Sequence, residues 1–253
     1  MKFLAFDTST DVMSIAVTDG ERVCGHTGPG GARASTTLIP AILELLAESG
    51  FLLADLDAIA FGRGPGSFTG LRTACAVAQG LAFGTGIKVL PIDTLMAVAE
   101  EARFQQAVAA TDMAPLHITT LLDARMDEMY VQRFQFVGKH CTAADACELI
   151  RPENLAAHLG NDAADCLLAG NVFNVYAGRL PIFTHCVQVL PTATALLRLA
   201  PALASSGHCV DAALALPLYV RDKVALTTKE RAIVKEQKAQ AALHHETVHE
   251  RHS

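Results

Sequence analysis

Gly62-Arg63-Gly64-Pro65-Gly66-Ser67-Phe68-Thr69-Gly70-Leu71-Arg72 decides how the rest of the chain is read. The apolar run Leu56 to Phe61 leads into it, and a stretch almost free of charge follows. It therefore reads as the joint between a buried strand and a helix running to about Phe83. Glycine-rich loops at helix N-termini bind phosphate through backbone N–H groups. Neither familiar phosphate spacing is present. A P-loop needs GxxxxGK[ST], and no lysine lies between Lys2 and Lys88. A dinucleotide loop needs GxGxxG and an acid about 20 residues further on. The glycines here stand at 62, 64, 66 and 70, and Asp93 is too far away. A tight strand-to-helix turn with Ser67 or Thr69 as N-cap fits the same residues.

The helix after the loop is unusual. From Ser67 to Ile87 its only charge is Arg72. Leu71, Ala74, Ala78 and Leu81 mark one apolar face; Thr73, Ala76, Gly80 and Phe83 mark another that is mostly small. Upstream, Ser35 to Ser49 reads as a helix closed by Gly50. Leu38, Ile42, Leu45 and Ser49 form one stripe, Ile39, Leu43 and Leu46 a second, and Glu44 and Glu48 are the only charges. A surface helix shows a polar face. These two carry more apolar surface than one sheet covers, so either a neighbouring lobe or another subunit encloses them. The expected contact residues are Leu38, Ile39, Ile42, Leu45, Leu46, Leu71, Ala74, Ala78 and Leu81.

Outside these elements the chain opens with a strand, Phe3 to Phe6, that stops at Asp7-Thr8-Ser9-Thr10. A second strand follows at Met13 to Val17, and Asp19-Gly20 turns into a third around Val23 before the loop Gly28 to Gly31. Lys88 to Ile92 is a further strand, with a helix from Thr94. A break near Thr111 to Pro115 suggests a lobe boundary. Beyond it, strands are expected at His117 to Asp123 and Glu128 to Val137, and helices near Pro152 to Leu159, Val172 to Gly178 and Thr194 to Ser205. The last ordered piece expected is Pro217 to Val224. Each half thus begins with an apolar strand ending in aspartate, a polar turn and a returning strand. Asp7 stands seven positions before Ser14, and Asp123 seven before Tyr130. This echo reads as a duplicated α/β lobe or as coincidence. The expected partition is 1–112, 113–227 and a tail at 228–253. That tail holds nine of the 46 charged residues and four of the ten histidines, which suits a mobile segment better than core.

The 253 residues suffice for one large domain or two lobes, and 51 % hydrophobic content allows a large core. A net charge of −6 argues against a protein that grips nucleic acid alone. Seven cysteines, an odd number without a CxxC pair, suit reduced thiols in the cytosol. The run Met1 to Phe6 is too short for a signal peptide or membrane span.

The strand–GRGPGSFTGLR–helix block resembles the TsaB (YeaZ) family, as do FDTST from Phe6, IDTL from Ile92, DARMDEMY from Asp123 and PLYVRDKVA from Pro217. The blocks run from Phe6 to Ala225 in the family's order. The resemblance implies an α/β fold of two actin-like lobes, of the actin/Hsp70/sugar-kinase, ribonuclease H-like type. It implies a cytoplasmic, non-catalytic subunit in tRNA N6-threonylcarbamoyladenosine synthesis. The implied partners are a TsaD-like catalytic paralogue and a TsaE-like ATPase, with self-association through the same surface also known in the family. The family's pairing helices match Ser35 to Ser49 and Phe68 to Phe83. tRNA is reached only through the complex, no membrane is involved, and ATP or ADP would sit at the boundary with partner subunits rather than in this chain alone. The catalytic paralogue binds metal through HxxxH near its first helix. The equivalent stretch here, Arg33 to Leu38, has no histidine, and Ala34 replaces one that many members keep. No metal site and no catalytic residue are therefore expected. Asp7, Thr8, Ser9 and Arg125 would mark a vestigial or composite nucleotide site. Taken alone, Asp7 reads first as a turn residue, and Arg125 as the partner of a nearby carboxylate.

Two rival functions are open to the same residues. An actin-fold phosphotransferase would need acids holding Mg-ATP between the lobes, for which Asp7 and Asp123 are the candidates. His245-Glu246-Thr247-Val248-His249 matches the zincin HExxH, but four residues remain after it and its surroundings are too polar for a dry cleft. Adventitious metal affinity suits a His-rich tail better.

Overall fold

The computed structural model describes residues 1–106, 115–160 and 166–221. The chain forms two sheets. The first holds β1 (Phe3–Asp7), β2 (Val12–Thr18), β3 (Val23–Pro29), β4 (Ala58–Gly64) and β5 (Lys88–Asp93), in the order β3-β2-β1-β4-β5. The β1, β2 and β3 strands run antiparallel, while β4 lies parallel to β1 and β5 parallel to β4. β1 is buried along its whole length, which is why Phe3-Leu4-Ala5-Phe6 shows no alternation.

The second sheet holds β6 (Leu116–Asp123), β7 (Met129–Val137), β8 (His140–Ala143), β9 (Glu148–Ile150), β10 (Leu167–Gly170) and β11 (Cys186–Gln188). Its order is β11-β10-β6-β7-β8, with β9 also paired to β7. Read from β8, it repeats the first sheet: two antiparallel pairings, then two parallel ones. The echo in the sequence coincides with a repeated sheet topology, and the architecture is a mixed α/β one of two sheets flanked by helices. The registers of the two turns differ by one residue. Asp7 lies opposite Ser14, but Asp123 lies opposite Met129, and Tyr130 opposite Leu122. Both aspartates end their strands the same way, accepting the N–H two residues on: Ser9 N–H at 2.8 Å from Asp7 and Arg125 N–H at 2.9 Å from Asp123.

One face of the first sheet is covered by α1 (Ala34–Ser49) and α2 (Phe68–Thr85). Each ends at a glycine in the left-handed conformation, Gly50 at φ 74° and Gly86 at φ 76°. Leu38, Ile42, Ala74 and Ala78 pack there on Leu4, Phe6, Ile15 and Phe61. The other face receives α6 (Ala193–Ser205), whose Leu196 and Leu199 meet Phe3, Ala5 and Ala60. The second sheet packs Ile118, Leu122 and Phe134 on Leu95, Val98 and Ala102 of α3 (Thr94–Gln105). Its opposite face is closed by α4 (Leu155–Leu159) and α5 (Val172–Val175), through Leu155, Leu159 and Val172.

The halves therefore exchange their last helices. α3, from the first half, covers the second sheet; α6, from the second half, covers the first. Charges bind the pair: Arg198 reaches Glu100 at 2.8 Å and Glu101 at 2.6 Å, and Arg103 reaches Glu100 at 2.7 Å. After α6 the chain stays on the first lobe, where Val210 bridges to Val89 and Leu218 N–H donates to the Arg63 carbonyl. The partition at 112/113 separates the sheets in sequence, yet α6 and the segment Val210 to Tyr219 of the expected second lobe pack on the first. A helix whose apolar face matches the other sheet is buried there whatever its place in the chain. Residues 107–114, which hold the expected boundary, lie outside the described residues, as do 222–224 and the tail with its HETVH stretch. Among the described residues no helix is long and apolar enough to cross a membrane. All seven cysteines are unpaired.

Candidate functional site

The glycine loop is a clasp on the chain itself. Gly62 lies so close to the Asp7 carboxylate, and Gly70 to the Thr8 carbonyl, that neither has room for a Cβ. Ser67 N–H donates to the Ser9 carbonyl at 2.7 Å, and the Thr8 hydroxyl donates to the Gly70 carbonyl at 2.7 Å. The loop is thus seated directly on the Asp7–Ser9 turn. Ser67 stands at the N-cap position, but its side chain makes no capping bond. Gly62, Gly66 and Gly70 are thus required by packing on the end of β1 and its turn, and Gly64 by packing on Leu218.

Asp7 is fully buried. Its carboxylate accepts from Ser9 N–H at 2.8 Å, Ser9 Oγ at 2.6 Å and Thr94 Oγ1 at 3.4 Å. Burial pushes its carboxyl up to about 6, against the lowering pull of the Ser9 and Thr94 bonds. The equivalent Asp123 is also engaged. It accepts from Tyr176 Oη at 2.7 Å and pairs with Arg125 at 3.4 Å, while its own N–H donates to Asn171 Oδ1 at 2.8 Å. Arg125 also pairs with Asp11, at the end of the first lobe's turn. Asp7, Thr8 and Ser9 are thus brought together, and Arg125 reaches their loop through Asp11 as a carboxylate partner. Both strand-end aspartates hold their own turns. Among the described residues no group of three or more His, Cys, Asp or Glu is placed to hold a metal ion. Ala34 is fully buried in the first core.

The two long helices present a different surface from the one the sequence pattern selects. Of the nine expected contact residues, Leu38, Ile42, Leu45, Leu46, Leu71, Ala74 and Ala78 are buried within this chain, Leu81 is half-buried, and only Ile39 is exposed. Both helices offer two apolar stripes, and the sheet takes the stripe whose side chains interdigitate with β2 and β4. The outward stripe is part of the other one, without Leu46. On α1 it carries Ile39 and Leu43, 46 % and 52 % exposed; on α2 it carries Arg72, Ala76, Gly80 and Phe83, the last 87 % exposed. A Cβ added at Gly80 or Gly84 would meet nothing within 4 Å. Among the described residues these glycines serve no packing, and their backbone is open to a close-approaching helix. Leu43 and the small face of α2 were visible in the sequence; which stripe faces out was not.

Comparison with known proteins gives a consistent result. The family described as "TsaD: tRNA N6-adenosine threonylcarbamoyltransferase" matches residues 29–250. The "tRNA threonylcarbamoyladenosine biosynthesis protein TsaB" of Haemophilus influenzae is 34 % identical over 244 residues, covering 88 % of this chain and 95 % of that protein. The protein of the same description from Escherichia coli is 28 % identical, covering 89 % and 96 %. The solved structure of YeaZ from Pseudomonas aeruginosa superposes with a TM-score of 0.76 at 36 % identity, covering 87 % of this chain and 99 % of that one.

Proposed function

This chain belongs to the TsaB (YeaZ) family of tRNA threonylcarbamoyladenosine biosynthesis proteins, and on that premise we propose that its part in the pathway is that of a non-catalytic docking subunit. The partner is a TsaD-like catalytic subunit, and a TsaE-like ATPase completes the assembly in the cytoplasm. The observation that carries the reading is the outward apolar stripe of α1 and α2, with Ile39, Leu43, Ala76, Gly80 and Phe83 facing solvent on two adjacent helices. Isolated apolar residues on a surface are ordinary; a contiguous strip over two long helices fits helix-to-helix docking. Docking supports catalysis by stabilising the active arrangement of the partner, to the extent that this chain binds that arrangement better than others.

The seat of the glycine loop supports the non-catalytic part of the reading. It is closed by Asp7, Thr8 and Ser9, so ATP or ADP belongs at the boundary with partner subunits. Nothing in the site favours a phosphotransferase. The net charge of −6 suits a protein that meets tRNA only through its complex.

Leu43→Asp and Phe83→Asp test the proposal. Both variants are expected to unfold at the wild-type temperature, fail to co-purify with the TsaD-like subunit and lower threonylcarbamoyladenosine in cellular tRNA, read by nucleoside mass analysis. Normal pairing by both would remove the docking surface, and an undiminished nucleoside level on depletion of the chain would remove the functional role.

A further inference from the structure

The outward stripe of α2 carries one charge, Arg72, held against two aromatic side chains. Among the described residues, most arginines sit on a carboxylate, as Arg63 does on Asp93 and Arg198 on Glu100 and Glu101. Arg72 has no acid within ion-pair distance among those residues. Its guanidinium instead lies 3.8 Å from the centroid of the Phe68 ring and donates through Nε to Tyr219 Oη at 3.1 Å. The Phe68 and Tyr219 rings are themselves 5.2 Å apart and tilted, so the three side chains form one contiguous group. One face of the fork and its Nε are occupied, and the two terminal amino groups keep their donors for something else.

We propose that Arg72 is the electrostatic anchor of the docking face and receives a carboxylate side chain, Asp or Glu, from a helix of the TsaD-like subunit. The inference rests on the docking reading above and names the chemistry that the partner must bring. Arg72 stands between Thr69 and Ala76 on the stripe that a docked helix would dry. A desolvated cation without a counter-charge opposes association, whereas one that meets a carboxylate in two parallel bonds favours it and fixes the register of the helices. Stacking on Phe68 and the Tyr219 bond fix the fork in advance, which lowers the ordering cost of binding. Arginine and tyrosine are also the residue types that dominate binding energy at interface centres.

A second copy of this chain is the competing occupant, because Glu44 and Glu48 are exposed on α1. Self-pairing would bring together two chains of net charge −6 each, which disfavours it.

Affinity for the purified TsaD-like subunit, measured by calorimetry at low and high salt, tests the anchor. Arg72→Met is expected to weaken pairing on the order of 30-fold or more and to flatten its salt dependence, with thermal unfolding unchanged. Arg72→Lys should recover only part of the loss, since an ammonium lacks the planar fork. Arg72→Glu should be rescued by a Lys in place of a single acid on the partner's docking helices. Pairing by Arg72→Met within about twofold of wild type, while Phe83→Asp abolishes it, would overturn the anchor and leave the docking face standing. Normal pairing by Phe83→Asp would bring down the docking reading itself. Loss of self-association alone in Arg72→Met, matched by Glu44→Gln, would assign Arg72 to a second copy and overturn the inference.

Discussion

The two halves share a strand order but not their crossover helices. In the first half these are α1 and α2, 16 and 18 residues long; in the second they are α4 and α5, of 5 and 4 residues. The short pair is just enough to seat Leu155, Leu159 and Val172 on the second sheet. The long pair seats a full inner face and is left with an outer one. A repeated lobe with long crossover helices thus keeps an apolar outer stripe, because a helix with two apolar stripes has more to bury than one sheet can take.

The largest effect expected from this contrast separates two alanines on α2. Ala74 is fully buried and Ala76 is exposed, although both read as small apolar residues. Ala74→Glu places a charge in the first core and should cost more than about 4 kcal/mol, enough to prevent folding. Ala76→Glu should unfold within about 0.5 kcal/mol of wild type and yet fail to pair. Thermal denaturation and co-purification read both; a folded Ala74→Glu variant would reverse the assignment of faces.

The next effect tests the two strand-end aspartates. Asp7 has a carboxyl raised from 3.8 to about 6 by burial. The folded state therefore holds its proton more tightly than the unfolded chain, and this contribution to stability is full below about 4 and lost as pH rises through about 6. Asp7→Asn keeps the acceptor for Ser9 and removes the buried charge. Its stability relative to wild type should rise by up to about 3 kcal/mol between pH 4 and 7. Paired urea titrations across that range would show it, and a constant difference would mean that Asp7 is not buried as an acid.

Smaller effects follow for the second lobe and the open glycine. Tyr176 Oη donates to Asp123 and to the Glu128 carbonyl, so Tyr176→Phe should cost about 1–2 kcal/mol and leave pairing untouched. Gly80→Ala should stabilise the isolated chain by up to about 1 kcal/mol through helix propensity, while a methyl group on the docking stripe weakens pairing. A stabilised variant that pairs as well as wild type would show that no helix approaches at Gly80.

Local signals carried much of the fold. Gly50 and the run before it define α1 to within one residue, and the glycine loop marks the start of α2. The Asp7 and Asp123 echoes announce the repeated topology. Strands β8 to β11 are three or four residues long and mostly polar or small, as in Cys186-Val187-Gln188, and no periodicity can be read from so few positions. At the candidate site, Asp7 and Arg125 were legible as a turn residue and an ion-pair partner. The purpose of the glycines was not, because close approach to β1 depends on a strand more than 50 positions away in the chain.

The sequence by itself determined the family, the repeated lobes and the surplus of apolar surface on two helices, since each is written in residues near one another. Only the tertiary structure decided which stripe of each helix faces outward, which helices cross to the other lobe and what the glycine loop is seated on. Those outcomes are contests between alternative burials, and they are settled by which distant strand offers the complementary surface.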